Sequence, residues 1–285
     1  VANGYAYTGF WNSEVEEASF VCLSLTDEVP ASKLEAKAET WRYVQKGGFY
    51  WAGAYACEDY VLIGTDDGED GYSSDTANLL LLDSMTGFTG DIRCSICYDT
   101  ATKAFYFTSK GGYLYSVQVQ KSGSSWKLAN KKQLKLGGMS TSTPVVHNGR
   151  AYIGVSGQGQ FTPYSGHNIT VVNLSNMSVA YRATTQGYPQ TSGLLTTAYE
   201  KSGSGYVYVY FFDNYTPGKL RVLRDRSGQT EAEYTSDEYA EKTKYTTAYE
   251  LFTPVAPQMQ YALCSPIVDE NGTLYFKNDS GYLMA

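Results

Sequence analysis

Two stretches far apart in the chain read almost alike, Ser142-Thr-Pro-Val-Val-His-Asn-Gly-Arg-Ala-Tyr-Ile-Gly154 and Cys264-Ser-Pro-Ile-Val-Asp-Glu-Asn-Gly-Thr-Leu-Tyr-Phe276. Each runs small residue, proline, two apolar residues, a polar turn closing on Asn-Gly, then a strand bearing an aromatic. Asn-Gly between β-rich runs is a strong hairpin signal, because both residues accept the positive φ of a tight turn. A unit found more than once turns a local expectation into an architecture.

About six copies can be laid side by side. They carry strands at Tyr60–Gly64, Ala104–Thr108, Tyr113–Val117, Ile169–Val172, Tyr206–Tyr210 and Leu220–Leu223, among others. Candidate fourth strands are Glu39–Val44, Ser125–Leu128, Val179–Arg182 and Glu231–Tyr234. Four short strands in roughly 45 residues make one blade of a β-propeller, since a single meander cannot bury both its faces. The expectation is an all-β, single-domain β-propeller over residues 1–285, with about six four-stranded antiparallel blades. A seventh arises if Gln229–Gln260 hides a degenerate copy. Strands from the two termini would share one blade and close the ring.

Composition agrees. Aromatics are 15 % of the 285 residues, 27 of them Tyr, with 28 Gly and only 18 % charged residues, a mix that favours strands and turns. A net charge of −7 argues against nucleic acid and anionic lipid as partners. No apolar run is long enough to span a membrane. The chain opens at Val1 inside a hairpin pattern, the look of a trimmed sequence, so a missing leader says nothing about export. Tyr-, Ser- and Thr-rich, Lys-poor repeats point to a bacterial surface or secreted protein.

The unit resembles the pyrroloquinoline-quinone-like β-propeller repeat. The matching features are Thr143 and Ser265 before Pro144 and Pro266, the Asn-Gly turns, the aromatic second strand and a Gly-x-Leu third strand. Leu82-Asp-Ser-Met-Thr-Gly87 resembles the family's Leu-Asp-x-x-Thr-Gly turn, and Arg224-Asp-Arg-Ser-Gly228 echoes it. The resemblance implies the propeller fold. Quinone enzymes on this scaffold use eight blades, a calcium ion and an adjacent Cys-Cys pair. No two of the five cysteines here are adjacent, so a quinone cofactor is not expected.

Candidate sites are few. Cys94-Ser-Ile-Cys97 sits in an expected strand, without the second pair or helix terminus that zinc or redox chemistry needs, and reads as packing. Asp66-Asp-Gly-Glu-Asp-Gly71 with Asp75 beyond it is the candidate for calcium, through Asp66, Asp67, Asp70 and Asp75, but fails the EF-hand pattern and reads first as a solvated rim loop. His147 and His167 fall in turn and loop positions expected to be exposed, which leaves no His-based triad. Tyr164, Tyr188, Tyr215, Tyr239, Tyr245 and Tyr249 lie in expected loops, where rigid amphipathic rings suit recognition. The leading expectation is therefore a non-enzymatic binding or scaffold module for a protein, glycan or small molecule. The alternatives are a quinone-dependent dehydrogenase or its degenerate relative, and a protein-assembly scaffold.

Overall fold

The computed structural model describes residues 1–26, 37–57, 59–71, 74–81, 84–157, 166–198, 200–232 and 249–285. Among these it is all-β, with 22 strands in six antiparallel sheets and one π-type turn, Glu200–Ser204. The sheets are propeller-type blades, each a meander of sequence neighbours. In chain order they are β1 (Tyr5–Gly9), β2 (Glu17–Ser24) and β3 (Trp41–Lys46); β4 (Tyr55–Ala56), β5 (Val61–Gly64), β6 (Ala77–Leu80) and β7 (Ser84–Phe88); and β8 (Cys97–Asp99), β9 (Ala104–Thr108), β10 (Tyr113–Ser122) and β11 (Ser125–Lys135). Then follow β12 (Val145–His147), β13 (Arg150–Val155), β14 (Asn168–Asn173) and β15 (Ser178–Thr184); β16 (Leu194–Thr196), β17 (Val207–Asp213), β18 (Lys219–Asp225) and β19 (Tyr249–Phe252); and β20 (Ile267–Val268), β21 (Leu274–Lys277) and β22 (Leu283–Met284). The chain forms two compact units, residues 1–97 with 104–132, and residues 98–103 with 133–285.

Two Asn-Gly turns form as the sequence requires, with Asn3 and Gly4 at φ 52° and 80° and Asn148 and Gly149 at 47° and 73°; in Asn271-Gly272 only the glycine has positive φ, at 85°. Two fourth strands differ from expectation. In the second sheet it is Ser84–Phe88, inside the segment read as a turn, whose Leu82 and Asp83 lie outside the described residues. In the fifth sheet it is Tyr249–Phe252; of the expected Glu231–Tyr234, Glu231 and Ala232 are not in a strand and residues 233–234 lie outside the described residues. Gln229 Nε2 donates to the carbonyls of Arg224 (2.9 Å) and Glu231 (2.9 Å), which holds that stretch as a turn.

The strands named after a glycine or hairpin turn supply the core. β9 and β13 are buried along their whole length. In the first unit, Leu62, Leu79, Phe88, Phe105, Phe107 and Tyr115 fill the space between the second and third sheets. Phe88 meets Phe107 and Tyr115 edge-on at centroid distances of 5.2 and 4.9 Å. Each such pair is worth about 0.5–1.5 kcal/mol beyond its buried area. In the second unit, Tyr152, Val171, Val209, Phe211 and Leu223 do the same between the fourth and fifth sheets.

A recurring backbone stitch holds the linker that enters each of the second to sixth sheets. The amide just past the sheet's second long strand donates to that linker: Asp66 to Gly48 (3.0 Å), Lys110 to Asp91 (2.9 Å), Ser156 to Met139 (3.0 Å), Asn214 to Tyr188 (3.0 Å) and Asp279 to Tyr261 (3.0 Å). Where the linker crosses the preceding sheet there is no room for a side chain. A Cβ on Gly64 would sit 2.1 Å from Ile92 Cγ2, and one on Gly154 would sit 1.6 Å from the Pro189 carbonyl oxygen. The stitch brings linker residues 48–51 and 91–94 and the residues after β5 and β9 together within the first unit.

Candidate functional site

Those stitched linkers gather a buried charge cluster. Arg93 Nε lies 3.1 Å from both Asp66 oxygens, and its Nη2 lies 2.7 Å from Asp66, 2.6 Å from Glu14 and 3.1 Å from Asp91. Lys110 Nζ stands 3.2 Å from Asp91, and the Asp67 amide donates to Asp91 at 3.1 Å. Asp66, Asp67, Asp91, Arg93 and Lys110 are all buried. Burial pushes the Asp66 carboxyl up to about 8 against the pull of Arg93, and raises Asp67 to about 6.

This corrects the expectation of a solvated acidic rim. Asp66 and Asp67 are interior, whereas Asp70 and Asp75 are exposed. The four do not converge as a ligand set, because Gly68 turns the chain at φ 77° after Asp67. The nearest grouping of acids is instead Glu14, Asp66 and Asp91. The guanidinium of Arg93 already bridges all three, so the carboxylates share a cation supplied by the chain itself.

The expected tyrosine rim also divides. Tyr188 is 1 % exposed: the Thr141 amide donates to its hydroxyl at 2.6 Å, and burial pushes that hydroxyl up to about 12. Its place is in the interior because the stitch to Asn214 draws it inward. Tyr215 is exposed. Tyr249 opens β19, and Tyr164, Tyr239 and Tyr245 lie outside the described residues. Contrary to expectation, His167 is buried, stacked on Tyr188 and accepting the Gly157 amide at 2.9 Å. His147 is half-buried, 2.8 Å from Glu200. Cys94 packs as expected: its Sγ donates to Thr108 O (3.4 Å) and accepts the Thr108 amide (3.1 Å), while burial pushes the thiol up to about 11.

The cavity with the features of a binding site lies elsewhere in the first unit, between the first and second sheets. It encloses about 480 Å³ and is lined by Tyr7, Phe20, Trp41, Tyr43 and Tyr60, with Ile63 and Leu80 at its floor and Arg42 and Asp59 at its mouth. Strand register sets one wall. Tyr7 pairs with Cys22, Cys22 with Trp41 and Phe20 with Tyr43, so all five project from one face of the sheet. Tyr7 and Trp41 rings lie 6.1 Å apart, Phe20 and Trp41 5.9 Å. Trp41 and Tyr43 keep 42 % and 44 % of their surface exposed, large fractions for apolar rings facing a cavity. The loop-based reading passed over these residues, although the alternation of Tyr5-Ala-Tyr7 and Trp41-Arg-Tyr43 places aromatics on one strand face.

No protein-family model matches the chain, and no curated protein matches it. Among solved structures it is similar to BamB from Moraxella catarrhalis, at 13 % identity over 99 % of this chain and 72 % of that one, with a TM-score of 0.47. It is also similar to the WD40 β-propeller domain of Doa1, at 11 % identity over 79 % of this chain and 88 % of that one, with a TM-score of 0.34. Likenesses of this size add nothing to the sheet topology and say nothing about activity. Among the described residues, no helix is long and apolar enough to cross a membrane.

Proposed function

We propose that the protein is a binding module of a bacterial surface or secreted protein, and that the pocket between β1–β3 and β4–β6 receives an apolar, ring-bearing group of a small ligand or partner protein. The observation that carries this is the aromatic pocket itself. Its volume falls within the ordinary range for ligand sites, and its polar groups stand at the mouth, where they would orient an occupant.

The test is a titration with 8-anilinonaphthalene-1-sulfonate, whose fused rings suit the aromatic walls. The expected result is one saturable site, weakened roughly tenfold or more by Trp41→Ala, the loss of about one aromatic stack. Tyr215→Ala should leave it unchanged. Equal affinity in wild type and Trp41→Ala, with both proteins folded, would overturn the assignment.

A further inference from the structure

The stitch fixes an alignment among the linkers, because Gly48, Asp91, Met139, Tyr188 and Tyr261 accept the same bond. Three residues further on stand Trp51, Cys94, Ser142, Thr191 and Cys264. Four of these five are small, and three of the four turn inward to hold the backbone. Cys94 brackets Thr108, Cys264 Sγ donates to Lys277 O at 2.7 Å and accepts the Lys277 amide at 3.3 Å, and Ser142 Oγ donates to Thr191 O at 2.9 Å.

Trp51 breaks the pattern. Its backbone is left-handed, at φ 58°, and its side chain faces out with 52 % of its surface exposed. A bulky residue rarely adopts that region, and strain of this kind collects at ligand clamps. Where one copy of a repeat departs from the local rule without a packing gain, function is the first explanation to test.

The ring is also supported. Trp51 stacks on Tyr50 at 4.4 Å and 23°, and Tyr50 stacks on Trp11 at 4.4 Å and 24°. The Arg93 guanidinium lies 4.5 Å from the Tyr50 centroid and reaches Glu14, whose side chain is 29 % exposed. We propose that Trp51 is the stacking platform of a carbohydrate site that takes the C–H face of a neutral sugar ring. At the end of that stack, Trp51 offers a flat ring with 52 % of its surface exposed, which suits the face of a pyranose. Polarised C–H groups meet the negative face of the indole. Beside Tyr50, the partly exposed Glu14 carboxylate, held by the buried Arg93, presents an acceptor for hydroxyls.

The experiment titrates cello-, malto-, manno- and xylo-oligosaccharides into wild type, Trp51→Gly, Trp51→Phe and Trp41→Ala. Glycine tolerates the left-handed backbone, so Trp51→Gly should melt at the wild-type temperature or higher. At least one oligosaccharide should bind saturably, with affinity roughly tenfold lower or worse in Trp51→Gly, the scale of one lost stacking contact. Trp51→Phe should retain most of the affinity, and Trp41→Ala all of it, which separates this site from the pocket. Absence of binding by every oligosaccharide overturns the proposal. So does unchanged affinity in Trp51→Gly, or a lower melting temperature for that variant, which would make the ring structural.

Discussion

Arg93→Met removes a side chain that touches three carboxylates at once, and the structure sets both the size and the pH dependence of the consequence. The guanidinium is 4 % exposed and its partner Asp66 wholly buried, so no water replaces it. Removing one member of a buried ion pair costs about 3–5 kcal/mol, since the remaining charge stays desolvated. At roughly 2–4 °C per kcal/mol, the melting transition should fall by about 6–20 °C. Asp66 titrates near 8 when folded, against an ordinary 3.8. A carboxyl raised on folding contributes stability that is complete below its unfolded value and disappears as pH rises through its folded value. The wild type should therefore lose part of its stability between about pH 4 and pH 8, by an upper limit of about 6 kcal/mol for this carboxyl alone. Without Arg93, nothing opposes the effect of burial and the carboxyl moves higher still. The variant should accordingly trail wild type only modestly at pH 5, where Asp66 is protonated in both, and by the full amount at pH 9. Differential scanning calorimetry of wild type, Arg93→Met and Arg93→Lys at the two pH values reads this directly. Equal losses at both pH values, or a variant as stable as wild type at pH 9, would refute the reasoning.

Other outcomes follow from the same kind of accounting. Asp225 accepts from Arg150 at 3.0 Å, Tyr152 at 2.7 Å and Tyr181 at 2.8 Å in the interior of the second unit. Asp225→Asn should thus cost about 3–5 kcal/mol by urea denaturation and Tyr152→Phe only about 1–2. Gly154→Ala drives a methyl into the Pro189 carbonyl and should cost at least 1–3 kcal/mol, whereas Gly149→Ala, with open space around it, should lose only the smaller cost of a left-handed alanine. Cys94, its thiol held near 11, and Cys22, also raised by burial, should resist alkylation at pH 8 in the native protein and react on unfolding. Rapid modification of either in the folded state, followed by mass spectrometry of the peptides, would contradict their placement.

The blades were legible because their signals are local. Asn-Gly turns require positive φ, and β-branched or aromatic runs between them have few alternatives. The weak fourth strands were less so. Ser84–Phe88 carries turn-like Thr86 and Gly87, and only pairing with β6 makes it a strand. Glu231 is held out of a strand by a local bond from the Gln229 side chain, two residues before it. Site residues failed for a different reason. An acidic run looks solvated until a distant Arg93 and Lys110 arrive through the stitch, which joins residues 17 or more positions apart that no window over the sequence connects. Tyr188 and His167 read as exposed because loops usually are, yet Tyr188 lies in a linker pinned inside the fold and His167 stacks on it. The pocket was visible as alternation, but alternating aromatics mostly mean core. What distinguishes Trp41 and Tyr43 is that the facing sheet leaves them partly uncovered.

Fluorine NMR on protein containing 5-fluorotryptophan tests the binding assignment most directly, because the chain has four tryptophans: Trp11, Trp41, Trp51 and Trp126. Single Trp→Phe variants assign the four signals. Adding 8-anilinonaphthalene-1-sulfonate should move the signal of Trp41, which lines the pocket, and leave that of Trp51 where it was. A saturating probe that shifts any other tryptophan while Trp41 stays still would place the binding surface elsewhere and contradict the pocket.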